Sequence, residues 1–347
     1  VPVCIDGAKL PGGKTIKSGK LRGVASQGML CSLSELGLSV NDFPYAIEDG
    51  IFVLQDEEGC EPIKIGEDIR DAIGLNDTCV EFEITSNRPD CMSVIGLARE
   101  AAATFKTELK VNEPVVKPGH GDVNDMLKVE INEPSKCYRY VGAVVENVRV
   151  KPSPLWMRER LRASGVRPIN NIVDITNYVL YELGQPMHAF DFNYLEGGEI
   201  HVRRAENGEK IQTLDEKEFA LTSDNLVICD GKKPVALAGI MGGLNSEILD
   251  STNAVMFEAA KFAHDNIRKS SKALGQVSDS SMRFSKGVDE YTTVMAMKRA
   301  LHLIEELGCG KVSKTSFDIN TGNSIEPRKL TVSVKQVNGV LGITVPD

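Results

Sequence analysis

The chain has 347 residues, 41% hydrophobic and 26% charged, the balance of a globular protein with room for two or three domains and a sizeable core. Its net charge of −9 excludes a global field that draws it to nucleic acid, so any such contact must come from local basic patches. No apolar run reaches membrane-spanning length. The eight cysteines (Cys4, Cys31, Cys60, Cys79, Cys91, Cys137, Cys229, Cys309) form no CxxC or Cys/His cluster, and read as reduced, mostly buried thiols of a cytoplasmic protein with no metal site.

Residues 1–38 alternate like β-strands around a Pro11-Gly12-Gly13 turn, and Lys9, Lys14, Lys17, Lys20 and Arg22 read as a solvated sheet face. Residues 39–106 hold short pieces: a hairpin-like stretch at 47–55, the segment VEFEITSNRPD ending in a turn, and a helix, CMSVIGLAREAAATF, capped by Asp90. Residues 107–124, rich in proline, glycine and charge, read as a linker with an exposed His120. KVEIN and YRYVGAVVENVRV follow as strands. SPLWMRERLRASG is a helix with Pro154 at its first helical position and Gly165 past its end. Its Arg158, Arg160 and Arg162 make either a solvated basic face or an RNA contact.

The stretch 167–191, RPINNIVDITNYVLYELGQPMHAFD, carries the densest set of polar groups. Ile172, Ile175, Val179 and Leu183 fall at helical spacing, with Asp174, Asn177 and Tyr181 on a neighbouring stripe. Gly184 sits where a left-handed cap ends a helix, and Pro186 cannot continue it, so His188 is expected on a stiff turn. Local chemistry alone makes the asparagines caps and His188 an ordinary satisfied histidine.

PVALAGI reads as a strand emptying into a Gly242-Gly243 turn, either a tight turn or a place where backbone closely approaches a ligand. GIMGG lacks the following Lys-Ser/Thr of a phosphate loop. In AVMFEAAKF, alternation puts Val255 and Phe257 on one face and Met256, Glu258 and Ala260 on the other, and local chemistry favours solvent for Glu258. HDNIRKSSKALG is a basic amphipathic helix, VSDSSMRFSKGVD a polar loop, and YTTVMAMKRALHLIEELG a helix with Val294, Met297, Leu301 and Ile304 on its core face. Residues 326–347 read as the opening strand and helix of another small domain. A start at Val1 rather than methionine and a stop in mid-pattern are expected of a piece of a longer chain. Strands and helices mix without a regular βαβ repeat, which argues for an α+β class.

The stretch 167–191, together with KLRGVASQGMLCSLSELGL, TSNRPDCMSVIGLAREAAA, LAGIMGG and SDSSMRFSKGVD in that family's order, resembles the β-subunit family of bacterial phenylalanyl-tRNA synthetases over essentially the whole chain. The resemblance implies an α+β multidomain fragment: a partial oligonucleotide-binding, tRNA-contacting barrel at 1–38, a winged-helix-like domain at 39–106, a linker at 107–124, a large mixed α/β editing domain at 125–325, and the start of a second winged-helix-like domain at 326–347. It implies hydrolysis of tyrosine mischarged on phenylalanine tRNA. Glu258 would accept the tyrosine hydroxyl proton, with Ala238, Gly239, Gly242, Pro186, Met187, Ser278 and Ser280 around the amino acid. Arg167, Thr176, Asn177 and His188 would surround the ester and position water, as the catalytic set. Where this chain has Ser278 and Ser280, the family often has threonine and alanine.

The partners implied are phenylalanine tRNA and an α subunit in an α2β2 heterotetramer, in the cytoplasm. No cofactor is implied for this stretch; ATP and Mg belong elsewhere in the whole synthetase, and the motifs HIGH and KMSKS are absent. The rival readings are a module that positions tRNA without turnover of its own, and a free-standing deacylase or sensor.

Overall fold

The computed structural model describes residues 1–57, 62–111, 113–117, 119–322 and 329–346. Cys60 and the junction expected between the last two domains fall outside the described residues.

The N-terminal part is built from two small antiparallel pairs, β1 (Val3–Ile5) with β4 (Gly28–Leu30) and β2 (Gly19–Leu21) with β3 (Val24–Ser26). Arg22 and Gly23, both at positive φ, give the two-residue turn that matches the strand twist. A small core of Leu10, Ile16 and Cys31 packs against Cys4 and Met29 of the first pair, the expected lysines are exposed, and among the described residues no barrel closes.

The described residues of 39–106 contain the helices α1 (Ile69–Ala72) and α2 (Val94–Phe105) and no strand. The expected hairpin at 47–55 supplies a single bridge, Ile51 to Ser32. The alternating stretch around Val80 and Phe82 has no neighbouring strand, leaving both side chains exposed, so the sheet of a winged-helix-like domain is not formed there. Asp90 does not cap α2: its carboxylate pairs with Arg88, and Ser93 Oγ accepts from Gly96 N (3.1 Å). The expected linker is partly tied down. His120 N donates to Val312 O (3.1 Å), and α3 (Val123–Met126) follows at once.

The large region is organised by two sheets. The first runs β13-β12-β11-β8-β5, where β5 is Lys128–Ile131, β8 Glu199–Arg204, β11 Leu226–Cys229, β12 Pro234–Leu237 and β13 Met241–Gly242; only β5–β8 is parallel. The second runs β15-β6-β14-β7, with β6 Cys137–Glu146, β7 Met187–Asp191, β14 Ala254–Phe262 and β15 Lys311–Val312, and β16 (Phe317–Asn320) also pairing with β6. A two-stranded ribbon, β9 (Lys210–Gln212) and β10 (Glu218–Ala220), lies beside the first sheet.

As alternation predicts, β14 divides its side chains. Met256 and Ala260 join the core shared with the first sheet, whereas Val255, Phe257 and Ala259 join the core under the helices α4 (Leu155–Ala163), α5 (Asn171–Leu183) and α8 (Thr292–Glu306). Two further helices, α6 (His264–Leu274) and α7 (Asp279–Lys286), close the first core through Ile267 and Phe284. The segment expected to be a polar loop is thus α7, capped by Ser278, whose Oγ accepts from Ser281 N (3.1 Å) while Ser281 Oγ accepts from Ser278 N (2.9 Å). The last helix, α9 (Val334–Leu341), matches the expected helix of the final small domain, but the described residues before it form no strand.

Two of the three α4 arginines, Arg158 and Arg162, are taken up in contacts within the chain, whereas Arg160 is exposed. Arg158, 3% exposed, donates to Ser153 O (2.8 Å) and reaches Asp42 O and Glu57. Arg162 donates to Ile73 O (3.1 Å), and Arg160 donates to Tyr178 OH (2.8 Å) and lies over the Trp156 ring. Arg158 and Arg162 thereby fasten the 39–106 region to the large one. Leu155, not Pro154, begins α4, and the Ser153 hydroxyl donates to Asp174 instead of capping. Among the described residues no helix is long and apolar enough to cross a membrane.

Candidate functional site

Helix α5 starts where the sequence predicts and for the expected reason. The Asn170 side chain accepts from Ile172 N (3.1 Å) and Val173 N (3.0 Å), a cap worth about 1 kcal/mol. Gly184, at φ 78°, ends it. Asn171 and Asp174 are structural. Asn171 bridges Lys151 N and Arg149 O, and Asp174 accepts from Ser153 Oγ (2.6 Å) and Ile169 N (2.8 Å), burial pushing its carboxyl upward. Beyond the helix, buried Gln185 donates to both Pro186 O and Ala260 O (2.9 Å each), which pins the turn against β14.

His188 therefore does not sit on a turn: it is the second residue of β7, directly opposite Glu258 on β14. Opposed residues of an antiparallel pair share a face, with Cβ atoms about 5 Å apart. Here that face looks into a cavity of ≈ 400 Å³ between α5, β7, the β12–β13 turn and α7. Its wall contains Thr176, Asn177, Pro186, Met187, His188, Gly239, Gly242, Glu258, Ser278 and Ser280.

Two expected residues are not in this wall. Arg167 is exposed on the segment leading into α5, where its guanidinium faces the Asn41 side-chain amide. Ala238 is buried in the core beneath the β12–β13 turn, its N–H held by Leu226 O.

Glu258 is 5% exposed, not in solvent. Burial pushes its carboxyl up to about 8, only partly offset by the Tyr140 hydroxyl, which donates to Oε2 (3.1 Å). Tyr140, on β6, is fully buried, and burial beside Glu258 keeps its phenol protonated. It is the partner that sequence reasoning missed; only the strand alternation of YRYVGAVVE could have marked it as inward-facing.

His188 faces the opposite demand: burial pushes it down to about 4, so the ring is neutral at physiological pH. Its ring packs edge-on against Phe190 (4.5 Å), and Nε2 is buried without a hydrogen-bond partner. Gly242 makes room for it. A Cβ there would overlap the imidazole, 2.6 Å from Nε2, so the close approach anticipated from the glycine is made by a histidine. Gly242 also lies in the short strand β13, not in a turn; the turn is at Gly239, whose φ of 66° and tight contacts with Phe262 and Phe284 exclude a side chain. Gly242→Ala is expected to displace the imidazole and lower stability by about 1–3 kcal/mol, the range for overpacking. Thermal melts and the His188 ring NMR signals check this; an unshifted ring in a fully stable variant would contradict the fit.

The remaining polar groups are simple. Thr176 Oγ1 donates to Val173 O (2.7 Å), Ser278 Oγ donates to Ile240 O (2.6 Å), and Asn177 and Glu247 have no side-chain partner among the described residues. The wall contains no lysine or arginine. Elsewhere, the three ligand-type side chains Asp90, Cys91 and Glu100 converge, but Arg88 is hydrogen-bonded to all three. The arrangement offers a neutral imidazole, a protonated carboxyl and an amide around an apolar hole, suited to holding an uncharged ring with a polar tip beside a bond to be attacked by water.

Comparison with known proteins agrees with the resemblance read from the sequence. The B3/4 domain model matches residues 136–309. The chain is 44% identical over 346 residues to the phenylalanine–tRNA ligase beta subunit of Clostridium acetobutylicum, covering 99% of this chain and 42% of that protein. It is 43% identical over 346 residues to that of Syntrophus aciditrophicus (100% and 42%) and 45% over 342 residues to that of Geobacillus kaustophilus (99% and 42%). The chain thus spans about 42% of the length of the curated relatives it matches. A crystal structure of an N-terminal fragment of the phenylalanyl-tRNA synthetase beta subunit from Pyrococcus horikoshii aligns with 76% of this chain and 71% of that one, at a TM-score of 0.39 and 15% identity, too distant to inform the fold. By the matched half of its length and by these relatives, the chain belongs to the B3/4 domain family, in the form found in phenylalanine–tRNA ligase beta subunits.

Proposed function

We propose that this chain hydrolyses the ester joining tyrosine to phenylalanine tRNA, as the proofreading part of a phenylalanine–tRNA ligase. The observation that carries the reading is the buried Glu258 opposite His188, aimed into a cavity of ≈ 400 Å³ that holds one aromatic side chain. An apolar pocket rejects an added hydroxyl only about a hundredfold, so a second site that recognises the hydroxyl positively is effective. The raised carboxyl value supports a donating role for Glu258 in this recognition. The residue meets the phenol as a protonated acid: Oε2 accepts from Tyr140, and the proton on Oε1 is offered to the tyrosine oxygen.

A ring held near pKa 4 is a poor proton acceptor at neutral pH, so His188 acts chiefly by orienting the attacking water through an unprotonated nitrogen. Asn177, which has no side-chain partner among the described residues, and Thr176 face the ester and the terminal ribose. Pro186, Met187, Gly239, Gly242, Ser278 and Ser280 shape the amino-acid pocket. In the whole protein this part would work with phenylalanine tRNA and an α subunit in a cytoplasmic α2β2 assembly, with ATP and Mg used at a separate aminoacylation site.

Deacylation of tyrosyl-tRNA(Phe) should be fast and that of phenylalanyl-tRNA(Phe) slow. Glu258→Ala should collapse the ratio of the two rates about tenfold or more, the worth of a lost buried hydrogen bond plus the unpaired acid it leaves with phenylalanine. A fall in both rates at constant ratio would return Glu258 to a structural role, and no hydrolysis by the wild type would leave the tRNA-positioning alternative.

A further inference from the structure

The cavity wall has three acidic residues, Glu258, Asp279 and Glu247, and contains no lysine or arginine of its own. Glu258 bonds Tyr140, and Asp279 takes Tyr181 OH (3.3 Å) and Arg283 Nη1 (3.1 Å). Glu247 alone has no side-chain partner among the described residues, although it is half-buried.

Its backbone, by contrast, is held firmly. It follows a short 3-10 turn, Leu244–Ser246, and its N–H donates to Leu244 O. On one side, the fully buried Ser246 donates through Oγ to Val235 O (3.3 Å). On the other, Ile248 is buried, and Leu249 N donates to Thr252 Oγ1 (2.9 Å). A carboxylate carried on a fixed backbone, at a cavity wall that contains no lysine or arginine, is complementary to a cationic group on the ligand.

We infer that Glu247 receives the α-ammonium of the bound aminoacyl ester and so makes the site selective for a free, unblocked amino group. The inference rests on the aminoacyl-ester reading of the cavity and adds the second anchor that reading lacks. In an aminoacyl ester the carboxyl charge is gone, and the α-ammonium is the one charge near the reacting carbonyl. Glu258 and Glu247 would then hold the amino acid at its two ends, phenol and ammonium, which leaves the ester carbonyl fixed between them. A charge-assisted bond of this kind is worth about 1.5–3 kcal/mol, or roughly tenfold to a hundredfold in affinity.

The test is direct binding by calorimetry at pH 6.5 with tyrosinamide, which keeps the ammonium and has no carboxylate, and N-acetyltyrosinamide, which has neither charge. The expected result is at least a tenfold preference of the wild-type chain for tyrosinamide, abolished in Glu247→Gln by weaker binding of tyrosinamide alone. Glu258→Ala should keep the preference while losing discrimination between tyrosinamide and phenylalaninamide. The same chains are then given tyrosyl-tRNA(Phe) and its N-acetylated form, where Glu247→Gln should raise KM for the free amine more than it lowers kcat. Equal binding of both amides by the wild type, no binding of either, or a preference unchanged in Glu247→Gln would each overturn the inference. A preference that Glu247→Gln removes, without hydrolysis of tyrosyl-tRNA, would uphold the ammonium site and overturn the hydrolytic reading, so the two failures are distinguishable.

Discussion

Replacing Glu258 with glutamine should stabilise the protein by about 4 kcal/mol more at pH 9 than at pH 4.5. Burial raises the folded-state carboxyl to about 8, against an ordinary value of 4.5. A raised folded value means that the unfolded chain loses its proton first. The contribution of Glu258 is therefore complete below pH 4.5 and is lost as the pH climbs through 8. Each unit of difference is about 1.4 kcal/mol, and at 5% exposure little solvent screening reduces it. Glutamine keeps an oxygen for Tyr140 and does not titrate, so the difference between variant and wild type isolates the carboxyl. His188 works in the other direction: its depressed value removes stability as pH falls from 6.5 towards 4, and the variant retains that acid limb. Denaturant unfolding of both proteins at pH 4.5, 7 and 9 decides the matter, and a pH-independent difference would mean that Glu258 is ionised when folded.

Removing the imidazole should have the largest effect on turnover. His188→Ala is expected to slow tyrosyl-ester hydrolysis about a hundredfold, the scale on which losing the orientation of a reacting group is felt. It should cost little stability, because the ring makes no hydrogen bond and sits beside a cavity already. The pH profile carries the sharper statement. With the ring neutral down to about 4, the ratio of wild-type to variant rates should stay level from pH 8 to pH 5. A ratio that falls away with a midpoint near 6.5 would show a solvated histidine of ordinary basicity and remove the desolvated geometry from the account.

How much of this could be read from the chain depends on how local each cause is. Helix α5 was legible in full, because its apolar spacing, the Asn170 cap and the Gly184 stop all lie within one stretch. So were the two faces of β14. The placement of His188 was not legible, since β7 is a strand only by virtue of β14, which is distant in sequence. The same holds for Tyr140, whose hydroxyl finds Glu258 across the β6–β14 ladder. Helix α7 was mistaken for a loop because its capping pair is Ser278 with Ser281, and serine reads as a turn former. Arg158 and Arg162 are ambiguous in the sequence for a related reason: they reach carbonyls of Asp42, Ile73 and Ser153, and backbone acceptors leave no trace in composition. In the cavity, the resemblance supplied ten of the twelve residues it named to the wall, while Arg167 and Ala238 fell outside it and Glu247 had no local signal.

The division of β14 between two cores has a consequence for how the chain must fold. A strand with apolar residues on both faces has no cheap way to tell them apart during assembly, because Met256 and Phe257 are equally content in oil. Glu258 breaks that tie. If β14 slipped by one residue against β6, every side chain would change sides, and the carboxyl would enter the helix-packed core, away from the Tyr140 hydroxyl. The slipped pairing would bury an orphaned acid, at a cost of several kcal/mol. The residue assigned to reading tyrosine thus also proofreads the protein's own sheet, rejecting the misregistered topology before a substrate is ever met.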